Sequence, residues 1–189
     1  RNRATLGGNL ATASPIGDSP PVLLSLDAQL TIACATGERR VPLADFFLDY
    51  RKTVLGPGEV LVSVHVPRPL PKVQRFYKVS KRVMDDISTV AGAFALDQAR
   101  DGTVERLRIA FGGIAAVPLR ASPVERLAQG RPWTPETLAL LLEELKAVGT
   151  PMSDHRGSAM YRRAVAGGLL EKFFFETAGE TGALAGGAA

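Results

Sequence analysis

Hydrophobic and polar positions alternate most cleanly at Val60-Leu61-Val62-Ser63-Val64-His65-Val66. That period of two predicts a half-buried strand with Val60, Val62, Val64 and Val66 on one face and Leu61, Ser63 and His65 on the other. The apolar run Leu30-Thr31-Ile32-Ala33-Cys34-Ala35 predicts a buried strand over 29–35. Ahead of it, Ser19-Pro20-Pro21 predicts a short helix over 19–26, with Ser19 as cap and the prolines in the first turn. Farther along, 76–81, 88–97 and 104–111 read as strands; the third has Leu107, Ile109 and Phe111 inward and Arg106 and Arg108 outward, and Asp101-Gly102 forms the hairpin turn before it. Three punctuated helices follow. Ser122-Pro123-Val124-Glu125 reads as a capping box, and Gly130 ends that helix. Thr134-Pro135 opens the second, whose apolar stripe is Leu138, Leu141, Leu142, Leu145 and Val148, and Ser158 opens the third, running through Leu169 to Phe175.

Three prolines within Pro67-Arg68-Pro69-Leu70-Pro71 resist both helix and sheet pairing, so a linker is expected at 68–71. It separates a unit at 1–67 from one at 72–177, where a three-stranded antiparallel sheet and a three-helix cluster make a small α+β domain. The Gly- and Ala-rich tail, 178–189, is expected to be flexible.

The 189 residues suffice for a sizeable core, and 46% apolar with 22% charged residues are ordinary globular values. No apolar run approaches the ~20 residues of a membrane span, and no secretory signal pattern opens the chain. The excess of four basic residues is scattered and lacks interleaved aromatics, which argues against a nucleic-acid partner. The single cysteine, Cys34, cannot form an internal disulfide, a zinc site or an iron–sulfur cluster; it is expected to be a small core residue in a cytosolic protein.

Chemistry concentrates in the opening segment, Thr5-Leu6-Gly7-Gly8-Asn9-Leu10-Ala11-Thr12-Ala13-Ser14-Pro15-Ile16-Gly17-Asp18. Small residues let a backbone approach a ligand closely, and Asn, Thr and Ser add donors, so the segment reads as a loop against a diphosphate. Gly7-Gly8 alone would read as a tight turn with polar flanks, and it is the whole segment that favours the ligand loop. Arg1 opens directly onto this segment, as expected of the later part of a longer polypeptide. His65 and His155 stand apart with no nucleophile or metal-ligand spacing near either, so no residue reads as catalytic or metal-binding. Asp85-Asp86, preceded by Lys78, Lys81 and Arg82, is either a solvated turn or a loop whose charges tune a redox ring. Phe173-Phe174-Phe175 reads as a helix end packing on the sheet in preference to a docking patch. Neither a G-x-G-x-x-G following a strand nor a P-loop is present.

The opening segment, Tyr50-Arg51-Lys52-Thr53 with Leu55-Gly56-Pro57-Gly58-Glu59, Phe76-Tyr77-Lys78-Val79-Ser80-Lys81-Arg82 with Asp85-Asp86-Ile87, and Phe111-Gly112-Gly113 occur in one order. From about residue 3 to 176 the chain resembles the flavin-binding part of the molybdenum hydroxylases, and within them the small subunit of the bacterial xanthine-oxidising members. The resemblance implies that 1–67 completes an FAD-binding domain of the vanillyl-alcohol-oxidase type and that 72–177 is the family's C-terminal flavoprotein domain. It implies FAD contacts at Thr5, Leu6, Gly7, Gly8, Asn9, Thr12, Ser14, Ile16, Asp18, Val60, Leu61 and Lys78. Tyr50 would lie on the nicotinamide side of the flavin, and Arg82, Asp85 and Asp86 near its ring. NAD is then the expected electron acceptor. The iron–sulfur clusters are expected upstream in the same polypeptide, and the molybdenum cofactor in a separate large subunit of a heteromeric assembly. Carbon monoxide, aldehyde and nicotinate hydroxylases share this flavin domain, while a module that binds a partner without any flavin is a reading of another class.

Overall fold

The computed structural model describes residues 4–82 and 86–178. Two short helices lead, α1 (Leu6–Ala11) and α2 (Ser19–Ser25). A first antiparallel sheet follows, in the order β2 (Gly37–Pro42), β1 (Gln29–Cys34), β5 (Val60–His65). Between β2 and β5 the chain makes a 3₁₀ turn at Leu43–Asp45 and a small hairpin of β3 (Phe47–Asp49) and β4 (Lys52–Thr53). The second antiparallel sheet runs β6 (Val73–Val79), β7 (Val90–Gln98), β8 (Val104–Gly112), β9 (Leu119–Arg120). Helices α3 (Ser122–Ala128), α4 (Pro135–Leu145) and α5 (Ala159–Thr177) close the fold.

One core lies between the second sheet and α3–α5. It is built on Phe94, Leu107, Ile109 and Phe111 from the strands and on Leu141, Leu170 and Phe173 from the helices. Phe94 stacks on Phe173 with centroids 5.0 Å apart. The other core gathers Leu10, Leu24, Leu30, Ile32, Leu43 and Phe46, and it includes Ala110 of β8. The two are therefore contiguous through β8. β7 is buried along Val90–Leu96 because both of its faces are covered. Val90, Phe94 and Leu96 enter the helical core, whereas Ala91, Ala93 and Ala95 leave room on the opposite face, where α2 packs against β7 and β8.

Several elements depart from the sequence expectation. β5 carries a bulge: Thr31 pairs with Ser63 and Ile32 with Leu61, leaving Val62 as the extra residue. The alternation therefore reverses across it. Leu61, Val64 and Val66 pack on the core, while Val60 and Val62 are 60% and 56% exposed. Cys34 is exposed, because it ends β1 opposite Gly37 at the β1–β2 turn. The second sheet has four strands, since β9 pairs with β8 at Ala110–Arg120 and Phe111–Leu119. Ser19 is the first residue of α2 and Asp18 its cap. Ser122 also lies inside its helix, and Glu125 makes no capping contact: its carboxylate accepts the Ile109 amide at 2.9 Å and Arg120 Nε at 2.9 Å. Thr134 and Ser158 do cap α4 and α5, accepting the amides of Thr137 and Tyr161. Phe173 and Phe174 are buried; Phe175 is not. The glycine-rich tail beyond Ala178 lies outside the described residues.

Candidate functional site

The first part of the opening segment, Leu6–Ala11, is a helix where a loop was expected, and 12–18 is loop and turn. Thr5 Oγ1 accepts the Gly8 amide at 2.9 Å as N-cap, and Leu10, fully buried, anchors the other face. Proximity bears on Gly8, where a Cβ would lie 2.9 Å from Thr5 Oγ1, whereas one on Gly7 would meet Leu61 Cδ2 at 3.7 Å, an ordinary contact. Gly7 and Leu61, distant in sequence, are therefore neighbours where α1 packs on β5.

After α1 the chain reverses at Ala13, whose φ is +45°. The turn is held by Thr12 Oγ1 donating to the Asn9 carbonyl at 2.8 Å and by Ser14 Oγ accepting the Ile16 amide at 3.4 Å. The following stretch is pressed against β8. The Gly113 amide donates to the Pro15 carbonyl at 2.7 Å, and a Cβ on Gly112 would stand 3.1 Å from that same oxygen. Gly113 has φ +86°, and a Cβ there would lie 2.2 Å from the Thr89 carbonyl oxygen, so glycine is required. This gives the Phe111-Gly112-Gly113 motif its place as the seat of the Pro15–Asp18 turn.

Three of the expected residues converge at the start of α2. Lys78 Nζ donates to Asp18 Oδ2 at 2.7 Å. The Ser88 hydroxyl donates to Asp18 Oδ1, and the Ser19 hydroxyl donates to Asn9 Oδ1. With its oxygen occupied, Asn9 has its amide N–H donors left for other partners. The Asp18 and Lys78 side chains are 39% and 33% exposed, so the pair remains reachable. The donor set suits an anionic dinucleotide: an ammonium and an amide for phosphate oxygens, and a carboxylate for ligand hydroxyls. Ser19 and Ser88 were not legible as members, because nothing at positions 19 or 88 sets them apart from other serines.

Other expected residues lie differently. Leu6 and Val60 are exposed apolar side chains at the α1–β5 edge. Tyr50 is at the turn of the β3–β4 hairpin, 56% exposed, with the Arg51 guanidinium 5.8 Å from its ring centroid. Asp85 lies outside the described residues. Asp86 is turned inward: its carboxylate accepts the Ile87 amide at 2.8 Å and the Arg82 amide at 3.1 Å, and those contacts hold it below the usual carboxylate range. The Arg82 guanidinium is extended into solvent, 3.5 Å from Asp86.

Arg162 supports the site from behind. Only 2% exposed, it donates Nη1 to the carbonyls of Thr89 and Gly113 and Nη2 to Asp154 Oδ1 at 2.7 Å. Burial raises the Asp154 carboxyl, but Arg162 and the Arg156 amide outweigh it and leave the group lowered. A separate cavity of about 640 Å³, lined by Leu142, Val148, Met160 and Gly167 among others, lies between α4 and α5 and shares no residue with this site. Among the described residues no cluster of His, Cys, Asp and Glu could hold a metal, and no helix is long and apolar enough to cross a membrane.

Comparison with known proteins matches residues 1–69 to the FAD binding domain in molybdopterin dehydrogenase and 75–177 to the CO dehydrogenase flavoprotein C-terminal domain. The xanthine dehydrogenase of Blastobotrys adeninivorans is 36% identical over 182 residues, covering 92% of this chain and 13% of that protein. The glyceraldehyde dehydrogenase medium chain of Sulfolobus acidocaldarius is 33% identical, covering 94% of this chain and 63% of that one. The solved carbon monoxide dehydrogenase from Hydrogenophaga pseudoflava superposes with a TM-score of 0.84 at 30% identity, over 91% of this chain and 60% of its own. The chain thus spans less than two thirds of each of these relatives.

Proposed function

Because the chain belongs to the flavoprotein family of the molybdopterin dehydrogenases, we propose that it is the FAD-carrying part of a bacterial, cytoplasmic xanthine dehydrogenase. Bound FAD would take electrons from iron–sulfur clusters and pass hydride to NAD as hypoxanthine and xanthine are oxidised to urate. The iron–sulfur domain is assigned upstream in the same polypeptide and the molybdenum cofactor, where the purine reacts, to a large partner subunit.

One observation carries this reading: Lys78, from the second matched segment, meets Asp18, from the first, beside Asn9 and the α1–β5 edge. The residues of this chain bind and orient. Lys78 supplies positive charge to an anionic cofactor, Asp18 accepts from its hydroxyls, and the Asn9 amide donates. Thr5, Gly7 and Gly8 keep α1 slim where the cofactor passes; Thr12, Ser14 and Ile16 shape the turn, and Leu61 supports α1 from below. Tyr50 is assigned to the nicotinamide side, and Arg82 with Asp85 to tuning the ring. Asp86, committed to its own turn, acts on Arg82.

A second reading keeps the flavin and changes the substrate to carbon monoxide, an aldehyde or nicotinate. Relatives of those kinds match at similar identity: 31% for a carbon monoxide dehydrogenase medium chain and 35% for a nicotinate hydroxylase. The test is the visible spectrum and extractable FAD of the complete flavoprotein subunit, beside its Asn9→Ala/Asp18→Ala variant. Stoichiometric FAD that falls away in the variant supports the proposal. Its absence from the parent would favour a partner-binding module without flavin, and full retention in the variant would overturn the site. Xanthine-dependent NADH formation by the assembled enzyme then separates the xanthine reading from the others.

A further inference from the structure

Asp18 stands at the N-cap of α2, where an aspartate ordinarily accepts an amide of the first turn. Its side chain makes no such bond. Both oxygens are drawn elsewhere, Oδ2 to Lys78 Nζ at 2.7 Å and Oδ1 to the Ser88 hydroxyl. The capping interaction has been exchanged for contacts that reach 60 and 70 residues along the chain.

The two partners differ in access. Ser88 is 1% exposed, whereas a third or more of the Lys78 and Asp18 side chains is open. Ser88 is also held from its own side. The neighbouring Thr89 amide donates to the Val79 carbonyl at 2.7 Å, extending the β6–β7 ladder that carries Lys78, and the Thr89 carbonyl accepts from buried Arg162. A fixed, buried hydroxyl therefore backs an accessible ion pair. A carboxylate with one partner can rotate about its Cβ–Cγ bond; with a donor on each oxygen, one of them fixed, it cannot do so without breaking a bond.

We propose that Ser88 is a positioning residue for the cofactor site. By donating to Asp18 Oδ1 it sets the carboxylate plane, so that Oδ2 receives Lys78 and the remaining N–H donors of that ammonium point to the open side. Ser88 itself does not touch the ligand. The inference rests on the FAD reading above and adds to it how the pair is aimed.

The experiment compares the complete flavoprotein subunit with its Ser88→Ala, Ser88→Thr, Asp18→Asn and Ser88→Ala/Asp18→Asn variants. Each is deflavinated and titrated with FAD, and the visible bands of the bound flavin are recorded. Removing a hydrogen bond to a charged group should weaken FAD about tenfold in Ser88→Ala, with bands displaced toward those of Asp18→Asn. Threonine, which keeps the hydroxyl, should restore both readouts. The double variant should match Asp18→Asn alone, because Ser88 acts through that carboxylate. Should the alanine variant not fold, Ser88→Cys, near in size and weak as a donor, should give an intermediate loss. Parental affinity and bands in Ser88→Ala or Ser88→Cys, alongside a loss in Asp18→Asn, would overturn this role and leave the FAD reading standing; so would full additivity in the double variant. Undiminished FAD in Asp18→Asn would overturn both.

Discussion

Arg162 Nη1 lies 3.1 Å from the Gly113 carbonyl oxygen, and the amide of that same glycine donates to the Pro15 carbonyl at 2.7 Å. A single residue of β8's exit thus connects the buried face of α5 to the turn that carries Asp18. Arg162 also holds Thr89, next to Ser88, so one guanidinium braces both sides of the candidate site.

Arg162→Ala would leave the Thr89 and Gly113 carbonyls without this donor, and Asp154 with only the Arg156 and Gly157 amides, around a buried hole. Loss of about 3 kcal/mol is expected, read from urea denaturation. Arg162→Lys should recover only part of it, because one ammonium cannot reproduce the fork that reaches Thr89, Gly113 and Asp154 together. Parental stability in the lysine variant would contradict the bracing role.

Asp27, with φ +52°, follows α2 and receives Arg108 Nε at 2.9 Å together with Arg120 Nη1. It joins the end of α2 to β8 and β9, and Arg120 shares its charge with Glu125. Asp27→Ala is expected to cost about 2 kcal/mol. Breaking the Lys146–Glu143 pair, both of whose side chains are more than 70% exposed, should cost no more than ~0.5 kcal/mol. Thermal melts of the two variants make the comparison; equal effects would refute a linking role for Asp27.

The bulge at Val62 makes opposite demands on two valines that the sequence pattern treats alike. Val62→Thr should change stability by less than ~0.5 kcal/mol, since Val62 is 56% exposed. Val64→Ala should cost about 1–2 kcal/mol, because Val64 packs on the core that holds Leu30, Ile32 and Phe46. Chemical denaturation distinguishes this from an unbroken alternation, in which both would be costly.

Arg39 grips Glu59 with two bonds, Nε to Oε1 at 2.7 Å and Nη2 to Oε2 at 2.8 Å, and the Gly56 amide adds a third at 2.7 Å. Chiefly through Arg39, the Glu59 carboxyl is lowered from 4.5 to about 2. A carboxyl lowered on folding stabilises the fold fully above its unfolded value of 4.5, and that contribution is lost as pH falls through about 2. NMR titration of the Glu59 side-chain carbon should show the low midpoint, and Arg39→Ala should return it most of the way toward 4.5. An unchanged midpoint in the variant would show that Arg39 is not the cause.

The legible parts were those decided within a few residues. Thr134 and Ser158 cap their helices as read, since each hydroxyl needs only an amide three residues on. The inward face of β8, with Leu107, Ile109 and Phe111, also followed directly from its alternation. Asn9, Asp18 and Lys78 were legible as candidates through the resemblance, but their mutual contacts were not. Local signals failed where a distant partner competed for the same atom. Glu125 had the spacing of a capping residue, yet Arg120 and the Ile109 amide hold its carboxylate. Asp18 had the place of a cap, and Lys78 and Ser88 took both its oxygens.

By itself the sequence determined the kind and order of most elements, the helix starts at 134 and 158, the Asp101-Gly102 turn and the small-residue character of the opening segment. These depend on local hydrogen bonding, on backbone freedom and on a periodicity written into neighbouring residues. Only the tertiary structure decided the bulge that turns Val62 outward, the exposure of Cys34, the seating of Pro15 on Gly112-Gly113 and the meeting of Lys78, Asp18 and Ser88. A polar side chain adjoins many possible partners in a folded chain and satisfies the ones that packing brings within about 3 Å. That selection is made by the approach of β8 and the β6–β7 pair to the start of α2, a proximity that no local pattern encodes.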